Sequence, residues 1–217
     1  MQAAPWRTIK PLVTPSSILS PARRRKHSAL LAAAFALGPL ACSSPPPEPP
    51  LAGASIGGDF ALTGEDGNTV RWDDFTGRYR IVYFGFTYCP DICPTDVQRA
   101  MRGLAQFAEE EPELAARVQP LFVSIDPERD TPAVLREFTD AFSPRLIGLT
   151  GTPEQIKQTA DTFKVAYSRG ETSPGGGYLM NHSTITYLFG PDGQPLATLP
   201  TDQGADAVAA ELARWVR

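Results

Sequence analysis

Two closely spaced cysteines and one distant histidine are the residues of this 217-residue chain best suited to chemistry. Cys89 and Cys93 lie in the run GFTYCPDICPTD, and His182 is the sole imidazole beyond His27. Two thiolates and one imidazole suit Cu(I) by their softness, and the imidazole also suits Cu(II). Zinc accepts these ligands but usually takes four, and no further Cys or His follows Cys42 to complete a closed site. The residue types therefore favour copper.

The same three residues also allow ordinary structural roles. Exported proteins oxidise their thiols readily, so Cys89 and Cys93 are also interpreted as a structural disulfide. A loop this short closes little chain entropy, and such a disulfide would stabilise the fold only weakly. A lone histidine is more often a surface or core residue than a ligand, and the case for His182 rests on its pairing with the two thiols.

Two aspartates in the run SIDPERDTP, residues 124–132, are further candidates. Asp126 ends a predicted strand and is expected on the same rim as the cysteines. There it would accept a hydrogen bond that orients a ligand, or offer a charge for partner docking. Asp130 precedes a predicted helix, where capping and turn formation account for an aspartate.

Apolar patterning predicts an α/β domain with a mixed central sheet flanked by helices and an N-terminal hairpin extension. The nearly continuous apolar run at 80–87 predicts a central strand that is buried on both faces. The other predicted strands are a hairpin within 59–72, single strands at 118–125 and 146–149, and a second hairpin at 183–189 and 194–199. Predicted helices follow Pro94, Thr131 and the capping box at 152–155, and a last one carries Val208, Leu212 and Val216. In the second of these helices, Val134, Phe138 and Phe142 are expected to face the core.

This order of elements predicts where the candidate ligands lie. The cysteines follow the central strand, at the carboxyl edge where open α/β sheets place their sites. Cys93 is expected at a helix N-cap, where amides and the helix dipole would lower its thiol pKa. Residues 168–180 contain four glycines and lack periodicity, so a long loop is predicted directly before His182.

The first part of the chain is predicted to be an export signal and membrane anchor. Residues 1–41 combine a basic cluster at 23–26 with a short apolar run and a small-residue cleavage position, as in a lipoprotein-type signal peptide. The segment P-L-A-C predicts a lipid on Cys42, and a soluble protein cut near Ala41 is the alternative. Residues 42–55 are expected to form a Pro-rich tether, and residues 56–217 the folded domain.

Charge excludes nucleic acid as a partner. All 24 acidic residues but only 14 of the 20 basic residues follow position 41, so the rest of the chain carries a formal charge of −10. Nucleic-acid binding depends on Lys and Arg that neutralise phosphates, which this composition does not favour.

Three separated motifs resemble those of Sco/SenC copper chaperones: GFTYCPDICPTD, SIDPERDTP and NHSTITYLFGPDG. The resemblance implies a thioredoxin-like fold, copper held by Cys89, Cys93 and His182, and a role in maturing the CuA site of cytochrome c oxidase. The expected partners are then the CuA-bearing oxidase subunit and another periplasmic copper carrier. The export signal and the P-L-A-C segment predict a bacterial envelope location, on the periplasmic side. Asn181 departs from the family pattern, which often has Asp before the histidine.

The leading functional hypothesis is a copper metallochaperone, which needs no catalytic turnover. The alternative is a thiol-disulfide oxidoreductase that keeps the cysteines of a partner's copper site reduced through Cys89 and Cys93. A peroxiredoxin-like peroxidase would suit the fold, but no Thr-x-x-Cys turn accompanies the cysteines.

Overall fold

A computed structural model describes residues 47–217 of the chain, and nine strands form its two sheets. The strands are β1 (Ala61–Gly64), β2 (Thr69–Arg71), β3 (Tyr79–Gly85), β4 (Val118–Ser124), β5 (Ile147–Thr150), β6 (Tyr167–Thr172), β7 (Tyr178–His182), β8 (Thr186–Phe189) and β9 (Pro195–Leu199). Seven of them form a mixed sheet in the order β2-β1-β5-β4-β3-β8-β9, while β6 and β7 form a separate antiparallel pair. The predicted mixed sheet and N-terminal hairpin are both confirmed.

The sheet is parallel at its centre and antiparallel at both margins. Strands β3, β4 and β5 run parallel. Strand β8 runs antiparallel to β3, and β1 runs antiparallel to β5. All seven residues of β3 are buried, as the continuous apolar run predicted. The carboxyl ends of β3 and β4 therefore lie side by side at one edge of the sheet.

In the described part of the chain, five α-helices flank the sheet: α1 (Ile92–Glu110), α2 (Pro112–Ala116), α3 (Pro132–Asp140), α4 (Pro153–Thr162) and α5 (Ala205–Trp215). Thr152 and Gln155 form the predicted capping box at the start of α4. Helix α5 packs against α1 and buries Val208 and Leu212 completely. The short helix α2 was not predicted, because its five residues are too few to show a period.

The inner face predicted for α3 was partly wrong. The helix buries Leu135 and Thr139, while Val134 and Phe138 are only half-buried. Phe138 and Phe142 are half-buried but do pack against the core as predicted, with the Phe138 ring 4.9 Å from that of the buried Phe122. The fully buried residues come one position after the predicted Val134 and Phe138. The polar Thr139 can be buried because its hydroxyl donates hydrogen bonds to Glu65 and to a helix carbonyl.

The prediction of a long loop at 168–180 was also wrong. Most of this segment forms β6 and β7, an antiparallel hairpin in which Tyr167 pairs with His182. Its three consecutive glycines are confined to the turn, where Gly176 has a φ of 83° and the Ser173 amide donates to the Gly177 carbonyl. Residues 167–182 are called the histidine hairpin below. The strands escaped sequence analysis because most of their side chains are exposed, which removes the alternation that marks a strand.

The predicted signal peptide and Cys42 lie outside the described residues. Within the predicted tether, the Leu51 amide donates to the Leu196 carbonyl of β9 at 3.0 Å, and the Leu51 side chain packs on the core. None of the helices in residues 47–217 is long and apolar enough to cross a membrane.

Candidate metal centre

The two cysteines lie where β3 passes into α1, as predicted. Residues 86–93, called the cysteine turn, leave the buried strand at Phe86 and enter the helix at Ile92. Cys89 is half-buried in this turn, and its sulfur accepts a hydrogen bond from the Cys93 amide at 3.4 Å. A free amide at the first helical turn thus faces the Cys89 sulfur. Neither Cys89 nor Cys93 forms a disulfide in the structure.

The prediction for Cys93 needs two corrections. Asp91, rather than Cys93, is the N-cap of α1, so Cys93 is the second residue of the helix and points into the core. Its side chain has no exposed surface, and burial raises the pKa of the Cys93 thiol instead of lowering it. Desolvation disfavours the thiolate more strongly than the helix end favours it.

His182 meets the cysteine turn from the other side. Strand β8 pairs antiparallel with β3, with Thr186 opposite Tyr83, so residues just before β8 lie beyond the carboxyl end of β3. His182 is the last residue of β7 and lies in that position. Its Nε2 atom is 3.3 Å from the Cys93 sulfur. Residues separated by 89 positions are thereby brought into direct contact.

Hydrogen bonding assigns the tautomer of His182. Its Nδ1 atom lies 2.9 Å from the Ser183 carbonyl, which can only accept, so Nδ1 carries the proton. In the neutral ring, Nε2 then presents its lone pair towards Cys93. Burial lowers the pKa of His182 and favours this neutral form. The ring is further held edge-on by Tyr83 and Phe86, at centroid distances of 6.2 and 6.0 Å.

A buried tyrosine and carboxylate lie behind this contact, and the sequence analysis missed both. The Tyr83 hydroxyl donates to Asp96 at 3.3 Å, and Asp96 is 3% exposed. Burial raises the pKa of the Asp96 carboxyl. Asp96 follows Cys93 by three positions on α1, so helical spacing in the sequence was the available signal.

The loop after β4, residues 125–131, supports the site and is called the rim loop. Asp130 is fully buried and accepts hydrogen bonds from the Thr87 hydroxyl and the Ser124 hydroxyl, both at 2.6 Å, and from the Thr87 amide. This carboxylate therefore ties the cysteine turn to β4, which is more than the capping role predicted for it. Burial raises the pKa of Asp130.

Asp126 lies on the predicted rim, 3% exposed. Its carboxylate accepts hydrogen bonds from Arg129 Nε at 2.5 Å and from the Tyr178 hydroxyl at 2.8 Å. Among the hydrogen bonds of residues 47–217, none joins Asp126 directly to a cysteine or to His182. Its predicted role in orienting a ligand or docking a partner stays a prediction. Asn181, the departure from the family pattern, is exposed on β7 next to His182.

The arrangement offers soft ligands that are close together but not yet closed around an ion. Within residues 47–217, no three Cys, His, Asp or Glu side chains are already gathered as a metal site requires. Cys93 and His182 are in contact, while the Cys89 sulfur is turned to an amide. Coordination through all three would require a side-chain adjustment at Cys89, which is half-buried.

Comparison with known proteins places most of the chain in one family. The model of the family described as SCO1/SenC matches residues 48–217. The human "Protein SCO1 homolog, mitochondrial" is 37% identical over 164 residues, which cover 75% of this chain and 53% of the human protein. The chain thus spans about half the length of that relative. A "SCO2-like protein" of Rickettsia felis is 40% identical over 161 residues, covering 69% of this chain and 76% of that protein.

Solved structures show the same likeness. The crystal structure of Arabidopsis thaliana ScoI with copper bound superposes with a TM-score of 0.68 at 36% identity, covering 73% of this chain and 96% of that one. This agreement confirms the thioredoxin-like fold predicted from the motifs.

Proposed function

Because the chain belongs to the SCO1/SenC family, we propose that it is a copper metallochaperone whose Cys89, Cys93 and His182 carry the ion. Copper is its cargo, delivered to the CuA site of cytochrome c oxidase. The observation that supports this proposal most directly is the 3.3 Å distance between the Cys93 sulfur and the Nε2 atom of His182. The Arabidopsis and Bradyrhizobium japonicum ScoI proteins, 36% and 32% identical, were solved with copper bound.

The chemistry of the three side chains supports copper over harder metals. Thiolate sulfur is a soft ligand that suits Cu(I), and imidazole suits either oxidation state of copper. Copper binding replaces the Cys93 thiol proton, which passes to solvent, and uses the Nε2 lone pair that the Ser183 carbonyl leaves free. Release then requires only that ligands of the recipient replace these three in turn.

The location and partners of the protein are part of the same proposal. Cys42 carries a lipid, and the chain up to residue 55 holds the domain at the extracytoplasmic face of a bacterial membrane. The CuA-bearing oxidase subunit receives copper there, and another periplasmic carrier supplies it. The family relationship and the basic and apolar pattern before Cys42 support these assignments.

A second function is favoured by the unequal exposure of the two thiols. Cys89 is half-buried and accepts an amide hydrogen bond, while Cys93 is buried behind it. In a thiol-disulfide oxidoreductase, the Cys89 thiolate would attack a partner disulfide and release one partner thiolate. Cys93 would then attack the mixed disulfide, leaving Cys89 and Cys93 oxidised and the partner reduced by two electrons.

Anaerobic copper titration of the reduced full chain tests both functions. We expect one tightly bound copper per chain and, with Cu(II), a thiolate-to-copper charge-transfer absorption. The double variant Cys89→Ser/Cys93→Ser should abolish that absorption. His182→Ala should weaken binding by at least about tenfold, since loss of even an indirect partner of a metal site costs roughly 10–100-fold. His182→Ala should nevertheless leave disulfide reduction intact, because thiol exchange uses no imidazole.

The chain provides matched controls for each substitution. Cys42→Ser and His27→Ala remove the same residue types outside the site and should leave copper binding unchanged. The distribution of Cys42→Ser between membrane and soluble fractions separately reports the anchor. Full copper affinity in His182→Ala would disprove the ligand assignment, and absence of tight binding in the unaltered chain would disprove the copper function.

A further inference from the structure

Arg129 contacts both segments that carry the proposed copper ligands. On the side of the cysteine turn, its guanidinium carbon lies 4.8 Å from the ring centroid of Tyr88, the residue before Cys89. On the side of the histidine hairpin, it lies 3.6 Å from the ring centroid of Tyr178, and its Nη1 donates to the Tyr178 carbonyl at 3.0 Å. One side chain of the rim loop thus connects the turn after β3 of the seven-stranded sheet with the separate two-stranded sheet.

Asp126 holds Arg129 and Tyr178 in this arrangement. Its two carboxylate oxygens accept separate hydrogen bonds, one from Arg129 Nε and one from the Tyr178 hydroxyl. A charged hydrogen bond of this kind is stronger and more directional than a neutral one. Arg169 adds a second guanidinium 3.6 Å from the Tyr178 ring and lies 3.3 Å from Glu128. Tyr178 is therefore the anchored residue of the hairpin.

Apolar packing holds the hairpin only loosely. A cavity of about 140 Å³ lies between the rim loop and the hairpin, lined by Ile125, Asp126 and Tyr178 among others. Strands β6 and β7 contain no fully buried residue. With little buried surface to hold it, the position of the hairpin depends on side-chain contacts such as those of Arg129.

Arg129 forms an ion pair with the nearly buried carboxylate of Asp126, so its removal carries some cost in stability. Its Nη2 atom is buried without a hydrogen-bond partner, which offsets part of the gain from its other contacts. Replacing Arg129 should therefore leave the seven-stranded sheet folded while it loosens the hairpin.

On the premise of the proposed copper function, we propose that Arg129 is a positioning residue for His182. It fastens the histidine hairpin to the rim loop beside the cysteine turn, and it thereby keeps the imidazole at Cys93 and slows copper release. His182 lies four positions after Tyr178 on one short strand, so a shift at Tyr178 moves the imidazole with it. Arg129 touches neither the ion nor the sulfurs and acts through His182.

Two measurements on Arg129→Met and Arg129→Lys test this role in the full chain. One is amide hydrogen exchange at residues 178–182 without copper, and the other is the rate of Cu(I) loss to a chelator. We expect Arg129→Met to raise the exchange rate and the rate of Cu(I) loss by about tenfold each. That factor corresponds to losing roughly one charged hydrogen bond. Arg129→Lys keeps the charge but loses the planar fork, so we expect a smaller rise.

Arg145→Met is the matched control. Arg145 is half-buried and donates to the carbonyls of Ala115 and Val118, at the opposite end of the parallel strands. Losing that arginine should leave exchange in the hairpin and copper release unchanged. An equal effect of Arg145→Met would show that Arg129 acts through general stability, which would overturn the inference.

A double substitution shows whether Arg129 acts through His182. In a His182→Ala background, Arg129→Met should no longer change the rate of copper loss, because the imidazole it positions is absent. A full tenfold effect in that background would overturn the inference. So would unchanged exchange and copper loss in both Arg129 variants of a chain that binds copper.

The hydrogen-exchange measurement separates this inference from the copper function. If the unaltered chain binds no copper but Arg129→Met still loosens residues 178–182, the copper function fails and the fastening role of Arg129 stands. If the chain binds copper and Arg129 has no effect, only the positioning role fails.

Discussion

The cysteine turn and the histidine hairpin hold their ligands in different ways. The cysteine turn connects a fully buried strand to the longest helix, and Cys93 has no exposed surface. The histidine hairpin is a separate two-stranded sheet whose residues are exposed or half-buried. The sulfur of Cys93 is thus positioned by the core, whereas the hairpin that carries the imidazole is held to the rim loop by a few side-chain contacts of Tyr178.

This difference suggests how one site can both hold and release an ion. Moving the cysteine turn would disturb the core, so its thiols provide a constant part of the site. Moving the histidine hairpin disturbs little buried surface and costs far less free energy. We therefore expect copper release to begin at His182.

The largest expected effect comes from detaching the cysteine turn. Asp130→Ala would leave the Thr87 amide, the Thr87 hydroxyl and the Ser124 hydroxyl without their buried acceptor. We expect the free energy of unfolding to fall by roughly 3 kcal/mol, as for the loss of a buried hydrogen-bond network. Urea unfolding of the reduced, copper-free chain measures this, and copper affinity should fall with it.

Glu65→Ala is the control for Asp130→Ala. Glu65 likewise accepts from a threonine hydroxyl, that of Thr139, and from a backbone amide, that of Gly148, but away from the cysteines. It should lower stability without altering copper affinity in the folded chain. If both variants weaken copper binding equally, the cysteine turn has no special dependence on Asp130.

The two kinds of ligand should also differ in their response to pH. Burial raises the pKa of Cys93, so copper must displace its proton near neutral pH, while burial lowers the pKa of His182, which is already neutral there. We expect Cys93 alone to reduce copper affinity about tenfold for each unit that pH falls between about 8 and 6. Chelator competition at constant ionic strength measures this slope.

Substitutions assign the slope to one ligand. His182→Ala should retain the dependence on pH, whereas Cys93→Ser should lose the part due to this thiol. An affinity that does not change over this range would show that Cys93 is not a thiolate ligand of copper.

The smallest expected effect comes from loosening the hairpin at its turn. Gly176 has a φ of 83°, a left-handed backbone conformation that costs a residue with a side chain roughly 1 kcal/mol. An added Cβ at this position would meet no neighbouring atom, so the backbone angle is the main cost of a substitution. Gly176→Ala should speed amide exchange at residues 178–182 with little change in global stability. Gly175→Ala is the control, since Gly175 has equal space and no positive φ. Equal exchange in both variants would show that the turn does not limit hairpin stability.

Much of the fold could be predicted because its elements are buried in regular patterns. The continuous apolar run of β3 and the capping box of α4 each mark an element through local residues alone. The histidine hairpin was missed because exposed strands need no apolar alternation. Likewise, the position of Cys93 within α1 depends on a helix start at Ile92 that no local signal marked.

Part of the candidate site was accessible in the same way. The three proposed ligands stand out as the scarce Cys and His residues after Cys42, and Asp126 and Asp130 lie in a recognisable motif. Tyr83 carries no such signal, because a tyrosine in an apolar strand is ordinary. Arg129 lies in the same motif as the two aspartates, but an arginine in a charged loop gave no reason to assign it a role. The contacts of Tyr83 with His182 and of Arg129 with Tyr178 arise between segments far apart in the chain.

The sequence by itself determined the residue types of the proposed site, the order of most strands and helices, and the placement of the cysteines after the central strand, because spacing and local patterning encode these directly. Only the tertiary structure decided that His182 reaches Cys93, that burial raises the pKa of that thiol, and that Arg129 bridges the two ligand segments. Proximity and desolvation depend on how distant segments pack together, and no local pattern records them.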